Sequence, residues 1–372
     1  MIRFLLPVLT AGLAIGAQFA VAQAQGTSPA ARKNAAAKKT AVRRAPPVDP
    51  TEGDNVDGED LTVRRAAVAA LGTTRGSVVV ADPNTGRILS MVNQKLALQA
   101  GFTPCSTIKL VTSLAALNEH VVERDTVIHL GRYTSFTLTT AIAHSNNEYF
   151  ATLGNRLGFE RVTRYAQMLG LGEKAGVDIP GEQPGSIAAA PPKAGGMGMM
   201  TAYGEGFLVT PLELTALISS IANGGTLYYL QYPRSDEDVF HFTPKVKRPL
   251  ELDPQGFADL KVGMRGAVDF GTATRAGYAA DEPVLGKTGT CTDFNSASHM
   301  GWFGSFNDVG NHQLVVVVML AAVNRSVNGP VASGVAGAIY KSLSEQRYFT
   351  ADGGDRRPMA FPILVSTPTA GK

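Results

Sequence analysis

Ser106 and Lys109 stand three residues apart in the segment PCSTIKLVTSLAAL, which is otherwise mostly apolar. Pro104 and the helical spacing of the apolar residues between 108 and 115 predict a helix that begins at about Ser106. Residues three apart in a helix share a face. A lysine amine beside a serine hydroxyl can make that serine nucleophilic when burial lowers the pKa of the amine. The alternative is a serine that caps the helix and a lysine that points into water, so the pair alone does not establish chemistry.

A second polar motif, Ser145-Asn146-Asn147, interrupts apolar helical sequence in AIAHSNNEYF. Polar side chains at such a position are costly to bury unless they belong to a site or cap a helix. Ser145 and Asn147 are therefore candidate site residues, and a helix cap is the simpler alternative.

A third motif, Lys287-Thr288-Gly289-Thr290, lies in a strand-like run. Glycine weakens a strand and often marks a place where a ligand or another backbone comes close. Lys287 offers a positive charge for a carboxylate, and Thr288 and Thr290 offer hydroxyl groups. The run is therefore a candidate binding strand for an anionic group.

The elements around these motifs predict an α+β fold. RGSVVVADPNTGRILSMV is typical of a hairpin, and three more β-type runs follow near the end of the chain: VLGKTGTC, HMGWFGSF and QLVVVVMLAAV. Two strands at the start and three at the end predict one antiparallel five-stranded sheet flanked by helices, with the middle helices forming a mostly helical lobe. The stretch 188–200 is predicted to be a loop, and 228–254 a polar surface excursion.

The ends of the chain differ in composition from its middle. Residues 1–24 have a positive start, an apolar run and small residues, which predicts a signal peptide or an uncleaved membrane anchor. Residues 25–60 hold a basic and then an acidic block, which predicts a disordered linker. Residues 61–346 are expected to form the folded domain and 347–372 a flexible tail. The domain is therefore expected to be exported to the periplasm, secreted or anchored, with membrane contact only through its N-terminal segment.

Composition and spacing argue against several functional classes. The 372 residues are 44% hydrophobic, ample for a large core, and carry a net charge of +3. The folded part lacks a Lys/Arg stripe with interleaved aromatic residues, so nucleic acid is not an expected partner. The six histidines are scattered singly, and no G-x-x-x-x-G-K-[ST] loop is present. We therefore expect no metal and no cofactor.

In the order Ser-x-x-Lys, Ser-x-Asn and Lys-Thr-Gly, the three motifs resemble those of the penicillin-binding protein and serine β-lactamase superfamily. The resemblance covers about residues 76–343. Between the motifs, GVDIPGEQPG, AYGEGFLVTPLEL, IANGGT, VGMRGAV and GWF are similar to the transpeptidase domain of penicillin-binding proteins. On these motifs the chain is identified as a member of that superfamily.

The resemblance implies a site at the junction of the sheet and the helical lobe. It implies Ser106 as the nucleophile, Lys109 as the group that takes its proton, and Ser145 as the relay that passes the proton to the leaving amine. The backbone N–H groups of Ser106 and Thr290 would form the oxyanion hole.

The resemblance also implies a binding surface for a D-alanyl-D-alanine stem peptide or a β-lactam. Asn147 would hold the side-chain amide of the ligand, and the third motif would bind its terminal carboxylate. The substrate-binding residues implied in this way are Asn147, Lys287, Thr288, Gly289 and Thr290.

The two cysteines flank the first and third motifs: Cys105 precedes Ser106, and Cys291 follows Thr290. Cysteines outside the cytoplasm tend to pair. Class A β-lactamases that hydrolyse carbapenems are similar here, with a disulfide at these same two motif positions. The resemblance therefore implies a Cys105–Cys291 disulfide, with two buried free thiols as the alternative.

Three features depart from the family pattern. The stretch from Ser106 to Ser145 is shorter than usual, so the cleft rim there is expected to be trimmed. Glu205 stands where these transpeptidases more often carry glutamine, and we interpret it as variation near the site. A signal and a linker, instead of a pedestal or glycosyltransferase domain, are expected to precede the domain, which predicts a minimal enzyme.

The function implied by the resemblance is a D,D-transpeptidase that acts on peptidoglycan stem peptides through a Ser106 acyl-enzyme. With water as the acceptor it would be a carboxypeptidase. β-Lactam antibiotics are expected as inhibitors, and cell-wall assembly proteins as partners. A serine β-lactamase and a non-catalytic penicillin-binding sensor or scaffold remain alternatives.

Overall fold

The secondary structure is defined by a computed structural model, which describes residues 49–292, 298–308, 313–323 and 325–349. Its strands are β1 (Gly76–Ala81), β2 (Ile88–Val92), β3 (Ile128–His129), β4 (Ser135–Phe136), β5 (Ser186–Ile187), β6 (Phe207–Leu208), β7 (Thr226–Tyr228), β8 (Val246–Pro249), β9 (Val284–Thr292), β10 (His299–Asn307) and β11 (Val315–Ala322). Its α-helices are α1 (Leu61–Leu71), α2 (Gln94–Ala97), α3 (Lys109–Asn118), α4 (Leu138–Ala143), α5 (Asn147–Leu157), α6 (Phe159–Met168), α7 (Gly196–Tyr203), α8 (Pro211–Ala222), α9 (Asp236–Phe240), α10 (Pro254–Asp269) and α11 (Gly329–Glu345).

The predicted antiparallel five-stranded sheet is confirmed, with the strand order β2-β1-β11-β10-β9. β1 pairs with β11 from Gly76 opposite Leu320 to Ala81 opposite Val315. The hairpin near the start of the domain is thereby joined to the strands near its end. β9, which carries the third motif, lies at the edge of the sheet and pairs with β10 alone among the described strands.

Both faces of the sheet are buried. Val316 and Val318 of β11 pack in an apolar cluster with residues of α1 and α11, whereas the alternate residues Val315 and Val317 join the cluster of the helical lobe. This alternation follows from the two-residue period of a strand. The continuous valine run of β11 is therefore explained by burial on both sides.

The helical lobe is built around α3, whose residues from Lys109 to Leu117 are all buried. α5, α6 and α10 contact α3, and α10 also contacts β9. The start of α3 therefore lies where the lobe meets the edge strand of the sheet. This position brings the first motif next to the third.

The folded domain begins earlier than the predicted boundary after residue 60. Asp54 accepts a hydrogen bond of 2.7 Å from Arg64 of α1, and the buried side chain of Glu59 accepts one of 2.8 Å from the backbone of Met91. Asp60 caps α1. The end of the acidic block therefore belongs to the fold, because its carboxylates have partners on α1 and β2.

Ordered contacts also continue beyond Gln346, where a flexible tail was predicted. Tyr348 donates a 2.9 Å hydrogen bond to Asp60, and Phe349 is buried. The predicted signal or anchor at 1–24, most of the linker, and the tail from residue 350 lie outside the described residues. Within the described ranges, the helices lack the length and apolar character needed to cross a bilayer.

Two stretches are more structured than the sequence predicted. The predicted loop at 188–200 includes the start of α7, and the predicted surface excursion at 228–254 contains α9, β8 and the buried Leu230. Glycine and polar residues predict irregular structure locally, but packing against the lobe overrides that preference.

Candidate active site

The nucleophile candidate Ser106 lies in a 3₁₀ turn, Cys105–Ile108, that leads directly into α3. The turn begins with Cys105 at φ 52°, a left-handed conformation that is uncommon outside glycine. Ser106 is half-buried, and its Oγ accepts a 2.9 Å hydrogen bond from Lys109 Nζ. Helical structure thus begins at Cys105, one residue before the predicted start at Ser106. Its first turn is a 3₁₀ turn, and the α-helix proper begins at Lys109.

Lys109 is fully buried, so the alternative in which its amine points into water is wrong. Its Nζ contacts Ser106 Oγ at 2.9 Å, Ser145 O at 2.9 Å, Ser145 Oγ at 3.1 Å and Asn147 Oδ1 at 2.7 Å. Burial, and then the charge of Lys287, hold the pKa of Lys109 well below its usual value. Such an environment favours the neutral form of the amine, which can accept a proton.

The second motif both caps a helix and contributes to the site. Asn146 caps α5 by accepting a 2.8 Å hydrogen bond from the backbone of Tyr149. Ser145 precedes this cap at φ 55°, and Asn147 is the first residue of α5. The cap interpretation is therefore confirmed for Asn146, and Ser145 and Asn147 remain candidate site residues.

Lys287 of β9 supplies a second buried amine. Its Nζ donates to Ser145 Oγ at 2.8 Å and to the backbone oxygen of Thr288 at 2.9 Å. Burial lowers the pKa of Lys287 to about 7. Ser145 Oγ therefore lies between two amines, because Lys109 Nζ is 3.1 Å from the same atom.

The threonines of the third motif are held by neighbouring elements. Thr288 Oγ1 is 2.6 Å from Thr272 Oγ1, and Thr290 Oγ1 accepts a 2.8 Å hydrogen bond from the backbone of Gly329 at the start of α11. Thr290 is exposed, whereas Thr288 is buried. A ligand in the cleft can therefore reach the Thr290 hydroxyl directly.

Gly289 marks a close approach of two backbones, as the sequence predicted. A β-carbon at this position would lie 3.0 Å from the backbone oxygen of Pro104 and 3.1 Å from Trp302 Cβ. The turn that carries Ser106 therefore packs directly on β9. Trp302 Nε1 also donates a 3.0 Å hydrogen bond to the backbone oxygen of Thr103, which lies just before that turn.

The predicted Cys105–Cys291 disulfide is present, with Cα atoms 5.5 Å apart. The alternative of two free thiols is wrong. Cys105 is the buried first residue of the turn, and the bond ties the residue before Ser106 to the residue after Thr290. The nucleophile turn and the binding strand are thus joined covalently as well as by packing.

The structure brings every residue of the three motifs to one place and adds contacts that the sequence did not predict. Ser106 Oγ is 3.5 Å from the backbone oxygen of Ala202, and Asn147 Nδ2 donates a 3.0 Å hydrogen bond to Tyr203 Oη. Both residues lie at the end of α7, within AYGEG. Thr272 also had no sequence signal, since neither motif spacing nor periodicity singles it out.

The described part of the chain contains no group of His, Cys, Asp and Glu that could hold a metal ion. Within the same residues, no carboxylate accepts a hydrogen bond from Ser106, Lys109 or Ser145. The chemistry that the site supports is nucleophilic attack by a serine whose proton passes to a buried amine.

Comparison with known proteins places this arrangement in a family. Residues 76–343 match the family model of the penicillin-binding protein transpeptidase domain. The chain is 28% identical over 287 residues to stage V sporulation protein D of Bacillus subtilis, covering 69% of this chain and 44% of that protein. It is 25% identical over 302 residues to peptidoglycan D,D-transpeptidase MrdA of Acinetobacter baumannii, covering 65% of this chain and 45% of that protein. The chain thus spans about half the length of these curated relatives.

Solved structures agree at the level of the fold. The transpeptidase domain of Burkholderia pseudomallei penicillin-binding protein 3 has a TM-score of 0.65 at 21% identity, covering 79% of this chain and 96% of that one. Pseudomonas aeruginosa PBP2, in complex with WCK 5153, has a TM-score of 0.64 at 23% identity, covering 81% of this chain and 80% of that one. Since the family model matches most of the chain and the predicted motifs lie within the match, the chain belongs to the penicillin-binding protein transpeptidase family.

Proposed function

We propose that this protein is a D,D-transpeptidase that forms an acyl-enzyme at Ser106 with peptidoglycan stem peptides. Ser106 Oγ attacks the carbonyl carbon of the penultimate D-alanine, and its proton passes to Lys109 Nζ. The peptide C–N bond then breaks, and the terminal D-alanine leaves after its nitrogen takes a proton by way of Ser145. An acceptor amine attacks the Ser106 ester, forms the new peptide bond and returns the proton to Ser106.

The observation that carries this proposal is the position of the Lys109 amine. It is fully buried, 2.9 Å from Ser106 Oγ and 3.1 Å from Ser145 Oγ. Burial favours the neutral amine, and the neutral amine can accept the serine proton. Ser145 touches both Lys109 and Lys287, which supports its role as the relay to the leaving group.

The proposed substrate contacts follow from the same geometry. Lys287 and the Thr290 hydroxyl supply positive charge and a hydrogen-bond donor for the terminal carboxylate. Asn147 is proposed to hold the side-chain amide of the ligand. The backbone N–H groups of Ser106 and Thr290 are proposed to stabilise the developing oxyanion.

The relatives support this assignment by their names. MrdA of A. baumannii and FtsI of Escherichia coli are both named peptidoglycan D,D-transpeptidases. The matching family is named for penicillin binding, so we also propose β-lactams as inhibitors. We propose the extracytoplasmic side of the membrane as the location, and cell-wall assembly proteins as partners. Release of the acyl group to water, the carboxypeptidase reaction, is the related activity of the same site.

The first experiment follows the intact mass of the domain during incubation with benzylpenicillin. A penicilloyl adduct that maps to Ser106 and persists for many minutes would support the proposal. Ser106→Ala should show no adduct. Ser113→Ala, which removes a serine hydroxyl from α3, the helix that follows the turn, should still acylate, because the Ser113 hydroxyl donates to the backbone oxygen of Lys109.

Other outcomes of this experiment would overturn the proposal. Rapid loss of the adduct with accumulation of hydrolysed drug would make the protein a serine β-lactamase, and no adduct would favour the non-catalytic sensor or scaffold. If the protein acylates, incubation with a stem pentapeptide, with and without an added amine acceptor, shows whether an amine or water releases the acyl group. Cross-linked product identifies a transpeptidase, whereas D-alanine release without cross-linking identifies a carboxypeptidase.

A further inference from the structure

Tyr203, the last residue of α7, contacts the site through Asn147. Its Oη accepts a 3.0 Å hydrogen bond from Asn147 Nδ2, while Asn147 Oδ1 accepts a 2.7 Å hydrogen bond from Lys109 Nζ. The two ends of one amide side chain are therefore held by two different partners. Tyr203 remains 36% exposed, so the residue is accessible and is not part of the core.

The phenol is held firmly because α7 is anchored on both sides. Thr201 Oγ1 donates to the backbone oxygen of Phe150 on α5 at 2.9 Å, and a β-carbon on Gly154 of α5 would overlap the Thr201 side chain. Gly204, at φ 80°, packs against the turn before Ser106, where a β-carbon would lie 2.7 Å from Pro104 Cγ. Tyr203 is thus fixed relative to α5 and to the nucleophile turn.

We propose that Tyr203 is a positioning residue, which holds the Asn147 amide so that its carbonyl oxygen stays on Lys109. The proposal rests on the proposed function, because it concerns the amine that takes the Ser106 proton. Without the phenol oxygen, Asn147 Nδ2 loses the hydrogen-bond partner that the described residues give it, and the amide is free to rotate about its last side-chain torsion. The hydrogen bond from Lys109 Nζ to Asn147 Oδ1 is then present for only part of the time.

The charges around Lys109 determine what this contact does. Lys287 faces the amine from β9 and disfavours its protonated form, as burial does. The side-chain carbonyl of Asn147 counteracts the effects of burial and of Lys287 on the pKa of Lys109, because a hydrogen-bond acceptor stabilises the protonated amine. The aromatic ring of Phe150 lies 5.5 Å from the amine and is also favourable to a cation. Loosening the amide should therefore lower the pKa of Lys109 further.

The test compares Tyr203→Phe with Tyr133→Phe, which removes a phenol hydroxyl from an 88% exposed side chain in the β3–β4 hairpin. We expect Tyr203→Phe to reduce the second-order acylation rate by benzylpenicillin about 3- to 10-fold, the range of one ordinary hydrogen bond. Tyr133→Phe should leave the rate unchanged. The acid limb of the pH–rate profile should move to lower pH in Tyr203→Phe, because the pKa of Lys109 falls. Loss of a surface contact alone would not move that limb.

A double-mutant cycle tests whether Tyr203 acts through Asn147. In an Asn147→Ala background, Tyr203→Phe should change the rate less than twofold. An equal loss in both backgrounds, or no loss in the native background, would overturn the proposal.

A measurement without catalysis keeps this test separate from the proposed function. The pKa of Lys109 can be followed by NMR titration of its labelled Cε in the unliganded domain. A lower pKa in Tyr203→Phe than in the native protein supports the positioning role even if benzylpenicillin does not acylate the protein. An unchanged pKa overturns it, whereas failure of native protein to acylate overturns only the proposed function.

Discussion

Removal of the Cys105–Cys291 disulfide should cost the domain a large part of its stability. The bond closes a loop over a sequence separation of 186 residues, for which the chain-entropy relation gives about 5 kcal/mol at 25 °C. Measured disulfides commonly fall below that relation, so we expect Cys105→Ala/Cys291→Ala to lower the free energy of unfolding by about 3–5 kcal/mol.

Urea unfolding of the oxidised native domain and of the double variant measures this loss. The slope of the free energy against urea should also rise in the variant, because an unfolded chain without the cross-link exposes more surface. A loss below about 1 kcal/mol would refute the reasoning, since it would mean that the unfolded chain gains little freedom when the loop is opened.

The same variant should acylate more slowly under conditions where it is folded. Cys105 adjoins Ser106 and holds φ 52°, so the disulfide restrains the backbone next to Ser106. Leu343→Ala is a matched control, because it removes a buried side chain of α11 on the opposite face of the sheet at a cost of about 2–5 kcal/mol. If both variants lose acylation equally, the disulfide acts through stability alone.

Two further predictions concern titration. Lys287→Gln should move the acid limb of the acylation profile to higher pH, because the charge of Lys287 helps to lower the pKa of Lys109. An unmoved limb in Lys287→Gln would argue against Lys109 as the base. Burial raises the pKa of Glu213 from 4.5 to about 7, so the folded state holds its proton longer than the unfolded chain. The free energy of unfolding should therefore fall as pH rises from 4.5 to about 7, by up to about 3 kcal/mol, and urea midpoints of Glu213→Gln should lack this component. If the urea midpoints of the native protein and of Glu213→Gln change with pH in the same way, the raised pKa of Glu213 is not the cause of the loss in stability.

The sheet and the three motifs could be predicted because their signals are local. Each strand of the sheet is a β-rich run bounded by turn residues, and each motif places polar side chains in apolar sequence. Gly289 was interpretable from its place in a strand, and the structure shows the backbone of Pro104 against it. The resemblance to a known family then connected motifs that no local pattern links.

The remaining contacts depend on partners that are distant in sequence. Asp54 and Glu59 belong to a charged stretch typical of a solvated linker, yet Arg64 and the backbone of Met91 pair with them in the fold. The phenol of Tyr203 reaches Asn147 only because α7 packs across α5. Composition and periodicity describe neighbours along the chain, and they therefore do not identify such pairs.

The strand order of the sheet also determines when the site can form during folding. β1 must pair with β11, which comes from the other end of the domain, and the entropy of closing that long loop is lost before the pairing stabilises anything. Topologies of such high contact order fold more slowly than those rich in local contacts. β9 is placed through β10 against the same late-forming sheet, so the turn with Ser106 meets its binding strand only after the C-terminal strands have docked. A partly synthesised or partly folded chain therefore lacks the assembled candidate site, and the proposed activity requires the completed domain.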